Sequence, residues 1–353
     1  MPLKSAPIKS GSARAKASGG WKAMQYRSKV KKRTKLALIA LGLIVILLVL
    51  GQLVNLTRML FSPWQAELSP RDYLWDDHFN INILVYTNPV SVFSFNPSEQ
   101  KITVIKIPDQ IYMEVPGGFG NWQVRSIYQL GQTTKRGGNT LLKQSLSSFL
   151  GIPIEGVLEP TDDLRQKGVE ELIELMRQNP LNIFLLIPNL KTDLKLWELI
   201  RLKFALWGVR FDKVKILDLL ELNVLERQRL ADGSEVLTAD LIRIDGILSD
   251  FEDPQIKKEH LSVAVFNATD YPQLAQKAAR LITNMGGNVI MVTNAPQRLD
   301  KTKVVGENSV TLKRLVQIFG CDNCDKIELK DLGLDSSRGQ INLFLGEDFY
   351  QKI

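Results

Sequence analysis

Residues 81–107 read INILVYTNPVSVFSFNPSEQKITVIKI, and this stretch sets the class of the folded part. Three short apolar or alternating runs, Ile81–Tyr86, Val90–Phe95 and Ile102–Ile107, are separated by the turn residues Asn88-Pro89 and Asn96-Pro97-Ser98. They predict neighbouring strands. Working outward, a Gly-rich loop at Pro116–Asn121 precedes a second turn, Lys135-Arg136-Gly137-Gly138, after which Asn139 is expected to cap a helix presenting Leu141, Leu142, Leu146 and Leu150. From Pro160 the pattern alternates between helix and strand. Thr161 opens a capping pattern ahead of Leu164, Val169, Leu172, Ile173 and Met176, Asn182–Ile187 reads as a buried strand, Leu194–Trp207 as a helix, and Val214–Leu219 as a strand. This order predicts a layered α/β domain with a mixed sheet. A polar break, SDFEDPQIKKEH at 249–260, marks the expected boundary to a smaller C-terminal α/β domain. There, strands at Leu261–Phe266, Asn288–Val292 and Ile341–Gly346 alternate with helices at Tyr271–Met285 and Ser309–Phe319. No internal repeat of 20 to 50 residues is visible.

Upstream lies a different kind of sequence. Residues 36–56 are apolar except for Gln52 and Asn55, and 21 residues at ~1.5 Å rise span about 31 Å, enough for a bilayer core. An uncleaved transmembrane helix is expected, because no small-x-small cleavage site follows. Residues 1–35 carry eleven Lys and Arg and no acid. That asymmetry places the N-terminus in the cytoplasm and everything beyond residue 56 outside the cell membrane. Lys29, Lys31, Lys32, Arg33 and Lys35 either hold anionic headgroups or only fix topology. The expected organisation is a basic disordered tail (1–35), a membrane helix (36–56), a juxtamembrane segment with Phe61, Trp64, Tyr73 and Trp75 (57–79), the larger α/β domain (80–254) and the smaller one (259–353).

The charge balance follows the same division. The whole chain is +7, from 45 basic and 38 acidic residues; without the eleven basic residues of the tail, 34 against 38 leaves −4. A nucleic-acid binder needs its positive charge on the folded part, so that class is excluded. Hydrophobic content of 44% and charged content of 24% exclude disorder of the whole chain.

The segments NILVYTN (82–88), VFSFNPSEQKITVIKIPDQIYMEV (92–115) and GNTLLKQSLSSFLGIPIEGVLEPT (138–161) resemble the catalytic domain of the LytR-CpsA-Psr family of cell-envelope proteins. The segments LSVAVFNATD (261–270), LAQKAARLITNMGGNVIMV (274–292) and INLFLGEDF (341–349) resemble the LytR C-terminal domain often appended to it. The resemblance implies transfer of a glycopolymer from a polyprenyl pyrophosphate carrier to peptidoglycan, with arginines neutralising the pyrophosphate and carboxylates holding a divalent cation such as Mg²⁺. It does not imply transcriptional control, because the folded domains are expected outside and are acidic.

This chain departs from the family motifs. Where the family has Arg-Ser-Asp-Thr after the first strand, it has Asn88-Pro89-Val90-Ser91; where the family has Ile-Pro-Arg-Asp, it has Ile107-Pro108-Asp109-Gln110. Substitutes are nearby: Arg125, Lys106, Lys135 and Arg136 as ligands of an anion, and Asp109 as a metal ligand, the alternative being solvated loop charges. Two functions remain open, an envelope transferase with remodelled ligands, or an inactive relative that serves as a lipid-, glycan- or protein-binding scaffold.

Other motifs fail on context. Ser98-Glu99-Gln100-Lys101 has the S-x-x-K spacing but lies in a turn, with no S-D-N or K-T-G partner. Two histidines, His78 and His260, do not supply a triad or a zinc site in a recognisable setting. Gly117-Gly118-Phe119-Gly120 lacks the lysine of a phosphate loop. Cys321 and Cys324 form a CxxC after a helix stop, read as a small disulfide loop; a redox pair belongs at a helix N-terminus, and zinc would need two further ligands.

Overall fold

The computed structural model describes residues 41–51, 74–179, 189–321 and 328–350. The tail, residues 57–73 of the juxtamembrane segment, the strand expected at Asn182–Ile187 and Cys324 lie outside the described residues. Of the apolar stretch 36–56, residues 41–51 are helical and exposed and the remainder also lies outside them. Among the described residues no helix is long and apolar enough to cross a membrane.

Phe61–Ile353 forms one compact unit, built around two sheets. The first has six strands: β1 (Ile81–Val85), β2 (Val90–Asn96), β3 (Lys101–Ile107), β6 (Gly156–Pro160), β7 (Leu190–Thr192) and β8 (Val214–Asp218), in the order β7-β6-β1-β2-β3-β8. β1 pairs antiparallel to β2 and parallel to β6, β2 pairs antiparallel to β3, and β3 pairs parallel to β8. The expected mixed sheet is present, and β1, β3, β6 and β8 run in one direction. β1 and β2 are buried along their whole length, as strands covered on both faces must be. Leu84, Val92, Ile105 and Ile107 face a core made with helices α1 (Val124–Thr133) and α2 (Gly138–Leu150). Helices α3 (Asp162–Arg177) and α4 (Leu196–Leu206) pack on each other.

Some local elements differ from expectation. The Gly-rich loop is the tip of a hairpin, β4 (Tyr112–Val115) with β5 (Gly120–Gln123), and a second hairpin joins β9 (Leu225–Arg229) to β10 (Glu235–Ala239). Asn139 is not a cap. The N-cap of α2 is Gly137, and the buried Asn139 amide turns inward to donate to Glu159 Oε2 at 2.6 Å.

The polar break at 249–260 is folded and anchored. After α5 (Leu241–Ile247), Phe251 and Ile256 are buried, and Asp253 accepts from Gln255 N at 3.0 Å to cap α6 (Pro254–Glu259). The second sheet then has the order β12-β11-β14-β13, with β11 (Ser262–Asn267) parallel to β12 (Asn288–Asn294) and β14 (Ile341–Leu345), and β13 (Lys303–Gly306) antiparallel at the edge. Helices α7 (Leu274–Asn284) and α8 (Val310–Phe319) contribute to its core, and α9 (Glu347–Tyr350) closes it.

Two arginines fasten the second sheet's helices to the first. Arg314 of α8 donates to Asn80 O at 2.8 Å and to Glu155 Oε1, and its guanidinium lies 4.9 Å from the centre of the Phe79 ring. Both side chains of the ion pair are buried. Arg280 of α7 grips Asp245 with both Nε and Nη2 at 2.7–3.0 Å and donates to Ser148 O and Phe149 O, each at 3.0 Å.

Arg314→Met leaves Glu155 buried without its cation and is expected to cost about 3–5 kcal/mol, much of it recovered by adding Glu155→Gln. Denaturation of the full chain in detergent measures both. A milder, pH-dependent loss is expected at Asp250. Burial pushes this carboxyl up, but hydrogen bonds from Lys101 and Lys215 outweigh burial and hold it below the usual range. A depressed carboxylate contributes stability above its unfolded pKa of about 3.9 and loses it as pH falls through the folded value. Asp250→Asn should therefore be less stable by roughly 1–2 kcal/mol at neutral pH, with the difference vanishing under strong acid.

Candidate functional site

The carboxyl ends of β1, β3 and β6 open on one side of the first sheet, the side on which open α/β sheets place their ligands. A polar cleft of about 310 Å³ lies there. β1 runs into it with Tyr86, Thr87 and Asn88; the turn after β3 supplies Asp109; the first turn of α1 supplies Arg125; and the start of α3, which follows β6, supplies Asp162 and Arg165.

Backbone bonds hold these pieces in place. Val124 N donates to Ile111 O at 2.9 Å and Arg125 N to Asp109 O at 3.2 Å, so the start of α1 is tied to the loop that carries Asp109. Asn88 N donates to Arg165 O at 3.3 Å and Tyr86 N to Leu158 O at 2.9 Å, which ties the β1 turn to α3 and β6. Gly131 lets α1 approach α2: a Cβ there would sit 2.6 Å from Gly137 O.

The Arg165 guanidinium lies 4.0 Å from the centre of the Tyr86 ring, which stacks on Tyr128 at 4.7 Å and 16°. Burial raises the Tyr86 hydroxyl above its ordinary value, against the opposing effect of Arg165. Burial first and the Glu159 carboxylate second raise that of Tyr128. Both phenols therefore stay protonated at neutral pH and keep an O–H to donate. Their stack forms a rigid floor under Arg165.

Of the residues singled out from the sequence, the structure brings together Arg125 and Asp109. Lys106 is paired with Glu170. Lys135 is exposed in the α1–α2 turn at φ 59°, and Arg136 stacks over Phe119, 5.2 Å from the ring centre; neither lines the cleft. Arg165 was not anticipated. Its only sequence signal is a position four residues after the Thr161 N-cap, where a helix following a parallel strand points its first turn at the strand ends. Among the described residues neither Arg125 nor Arg165 has an ion-pair partner.

For a divalent cation the donor set is narrow. Among the described residues no group of three or more His, Cys, Asp or Glu side chains is arranged to hold one. Asp109 and Asp162 both line the cleft, which fits Mg²⁺ held by one or two carboxylates, waters and the phosphates of a ligand. Elsewhere, Cys321 is disulfide-bonded and carries no free thiol.

Residues 260–349 match the family described as LytR cell envelope-related transcriptional attenuator. No curated protein matches the chain by sequence. Among solved structures, TagV of Bacillus subtilis is 13% identical, with 48% of this chain and 93% of that chain covered at a TM-score of 0.38. The LytR-CPS2A-psr family protein YwtF (TagT), also of B. subtilis and solved with bound octaprenyl pyrophosphate lipid, is 16% identical over 50% of this chain and 90% of its own, at a TM-score of 0.35. A transcriptional regulator of Enterococcus faecalis is 12% identical over 60% of this chain and 88% of its own, at a TM-score of 0.38.

Gly131→Ala drives a methyl into backbone and is expected to destabilise the chain by about 1–3 kcal/mol, seen as a lower denaturation midpoint, whereas Gly118→Ala, which meets no atom within 4 Å and pays only for its φ of 79°, should cost less. Residues 260–349, about a quarter of the chain, are thus similar to the LytR cell envelope-related transcriptional attenuator family.

Proposed function

We propose that this chain is a membrane-anchored, extracytoplasmic protein of the cell envelope whose cleft binds the pyrophosphate of a lipid-linked glycopolymer. The observation that carries this reading is the convergence of Arg125 and Arg165, from two different helices and without ionic partners among the described residues, on one polar cleft beside Asp109 and Asp162. Guanidinium groups bind phosphate oxygens in pairs of parallel hydrogen bonds. Two of them offset much of the charge of a pyrophosphate, and Mg²⁺ on Asp109 and Asp162 would offset more. The protonated Tyr86 and Tyr128 set the floor and orientation of Arg165. The family resemblance of residues 82–161 supports a polyprenyl carrier and transfer to peptidoglycan. The departures at Asn88–Ser91 and Asp109-Gln110 support a second reading, in which the cleft binds the lipid and transfers nothing.

Arg125→Ala and Arg165→Ala are each expected to weaken binding of a polyprenyl pyrophosphate analogue to the full chain by about tenfold or more, the loss of a charge-assisted hydrogen bond. Lys135→Ala should leave binding unchanged. Equal affinity of all three variants and the wild type would remove the cleft from the account. Incubation with lipid-linked polymer, peptidoglycan acceptor and Mg²⁺ separates the two readings: turnover lost in Asp109→Ala identifies the transferase, and binding without turnover identifies the scaffold.

A further inference from the structure

Helix α4 is apolar on both sides. Leu196, Leu199, Leu202 and Leu206 are buried against the body of the protein. On the opposite face Trp197 and Phe204, seven residues apart, are 52% and 54% exposed, and the stripe continues beyond the helix with Trp207 at 57% and Phe211 at 79%. A surface helix normally turns charge outward, and an aromatic outer face marks an interface.

The surrounding charge points to what covers it. Residues 189–215 hold seven Lys and Arg (191, 195, 201, 203, 210, 213, 215) and three acids (193, 198, 212), a balance of +4 in an external part that sums to −4. Two of the acids are turned inward: Asp193 accepts from Val157 N and Lys143, and Glu198 from Trp75 N and Lys195 N. Of the cations, Lys203 is buried and donates to Leu175 O, Arg210 pairs with Asp212 at 2.9 Å and Lys215 with Asp250 at 2.7 Å, while Lys191 and Lys213 are exposed. A Trp- and Phe-bearing helix flanked by cations suits the boundary of an anionic bilayer.

The same helix holds the end of the chain's tether. Trp75 N donates to Glu198 Oε1 at 2.7 Å and Arg201 donates to Trp75 O at 3.1 Å. Only eighteen residues, 57–74, separate that point from the apolar stretch 36–56, a reach of at most about 60–65 Å when fully extended. We propose that the outer face of α4, with Trp197, Phe204, Trp207 and Phe211, rests in the headgroup region of the bilayer that holds residues 36–56. The inference rests on reading those residues as the membrane anchor and adds a second point of attachment, which holds the first sheet against the membrane surface.

The test uses the full chain in vesicles of phosphatidylcholine with phosphatidylglycerol, spin-labelled at one introduced cysteine: Leu47→Cys, Phe204→Cys or Ile242→Cys. Ile242, 83% exposed, is the aqueous control, and Cys321, carrying no free thiol, does not take label. A label at 204 is expected to collide several-fold less with an aqueous nickel complex than one at 242, and to lose that protection when Trp197→Ser and Trp207→Ser are added. Equal access at 204 and 242, with 47 protected, overturns the inference and leaves the anchor standing. Free nickel access at 47 overturns the anchor and the inference with it. Protection at 204 in detergent that grows with protein concentration assigns the face to a second copy instead, and also overturns it.

Discussion

The buried pair of Arg314 and Glu155 is the interaction on which the rest of the folded part depends. Two opposite charges withdrawn from water cost several kcal/mol each unless geometry and further hydrogen bonds restore what solvent supplied. Here they are restored from both sheets: Glu155 accepts from Asn82 N at 2.7 Å as well as from Arg314, and Arg314 also serves Asn80 O and the face of Phe79. Asn80 and Asn82 flank the first residue of β1, the strand that lies between β6 and β2. A helix of the second sheet therefore fixes where the inner strand of the first one starts.

That constraint reaches the cleft through the strand itself. β1 is five residues long and buried throughout, so bracing its beginning determines the position of Tyr86, Thr87 and Asn88 at its end. Asp253 strengthens the brace by accepting from Asn80 N at 3.2 Å. Burial raises its carboxyl above the usual range despite the nearby Arg314, which means the ionised form is held there at a cost. For a raised carboxyl the sign is opposite to that of Asp250: the penalty sets in as pH rises through the interval between unfolded and folded values. The C-terminal domain is thus more than an appendage carried on the sheet. It presses on the end of β1 remote from the cleft.

The fold was legible where its cause is local. The strand runs at 81–107 and 341–346 are apolar and bounded by turn residues, and those pairings follow. The hairpins β4–β5 and β9–β10 were not legible, because β9 is largely exposed and charged and three of the four residues of β5 are glycine or amide, so no apolar alternation marks these strands. Asn139 shows how a good capping residue misleads: Gly137, at φ 86°, already turns the chain into the helix, which releases the amide for Glu159. In the site, Arg125 and Asp109 were found because they sit beside the aligned motif. Arg165 was hidden by distance along the chain, since it joins them only through the parallel pairing of β6 with β1.

Charge follows the same logic of placement over total. A body of −4 is a poor collector of polyanionic lipid if its charges are spread evenly, since each exposed pair is screened over about 10 Å at ordinary ionic strength. They are not spread evenly. Lys106, Lys143 and Arg210 are spent on Glu170, Asp193 and Asp212, while Arg125 and Arg165 are left to the cleft and Lys191 and Lys213 to the surround of α4. Arg165 gains from lying over the Tyr86 ring, which attracts a guanidinium without competing for the anion. A substrate carried on a polyprenyl tail presents its pyrophosphate at the membrane surface. A protein that holds its sheet against that surface meets the phosphate at the depth where it lies, and needs fewer cations than one that must draw the lipid out into solution.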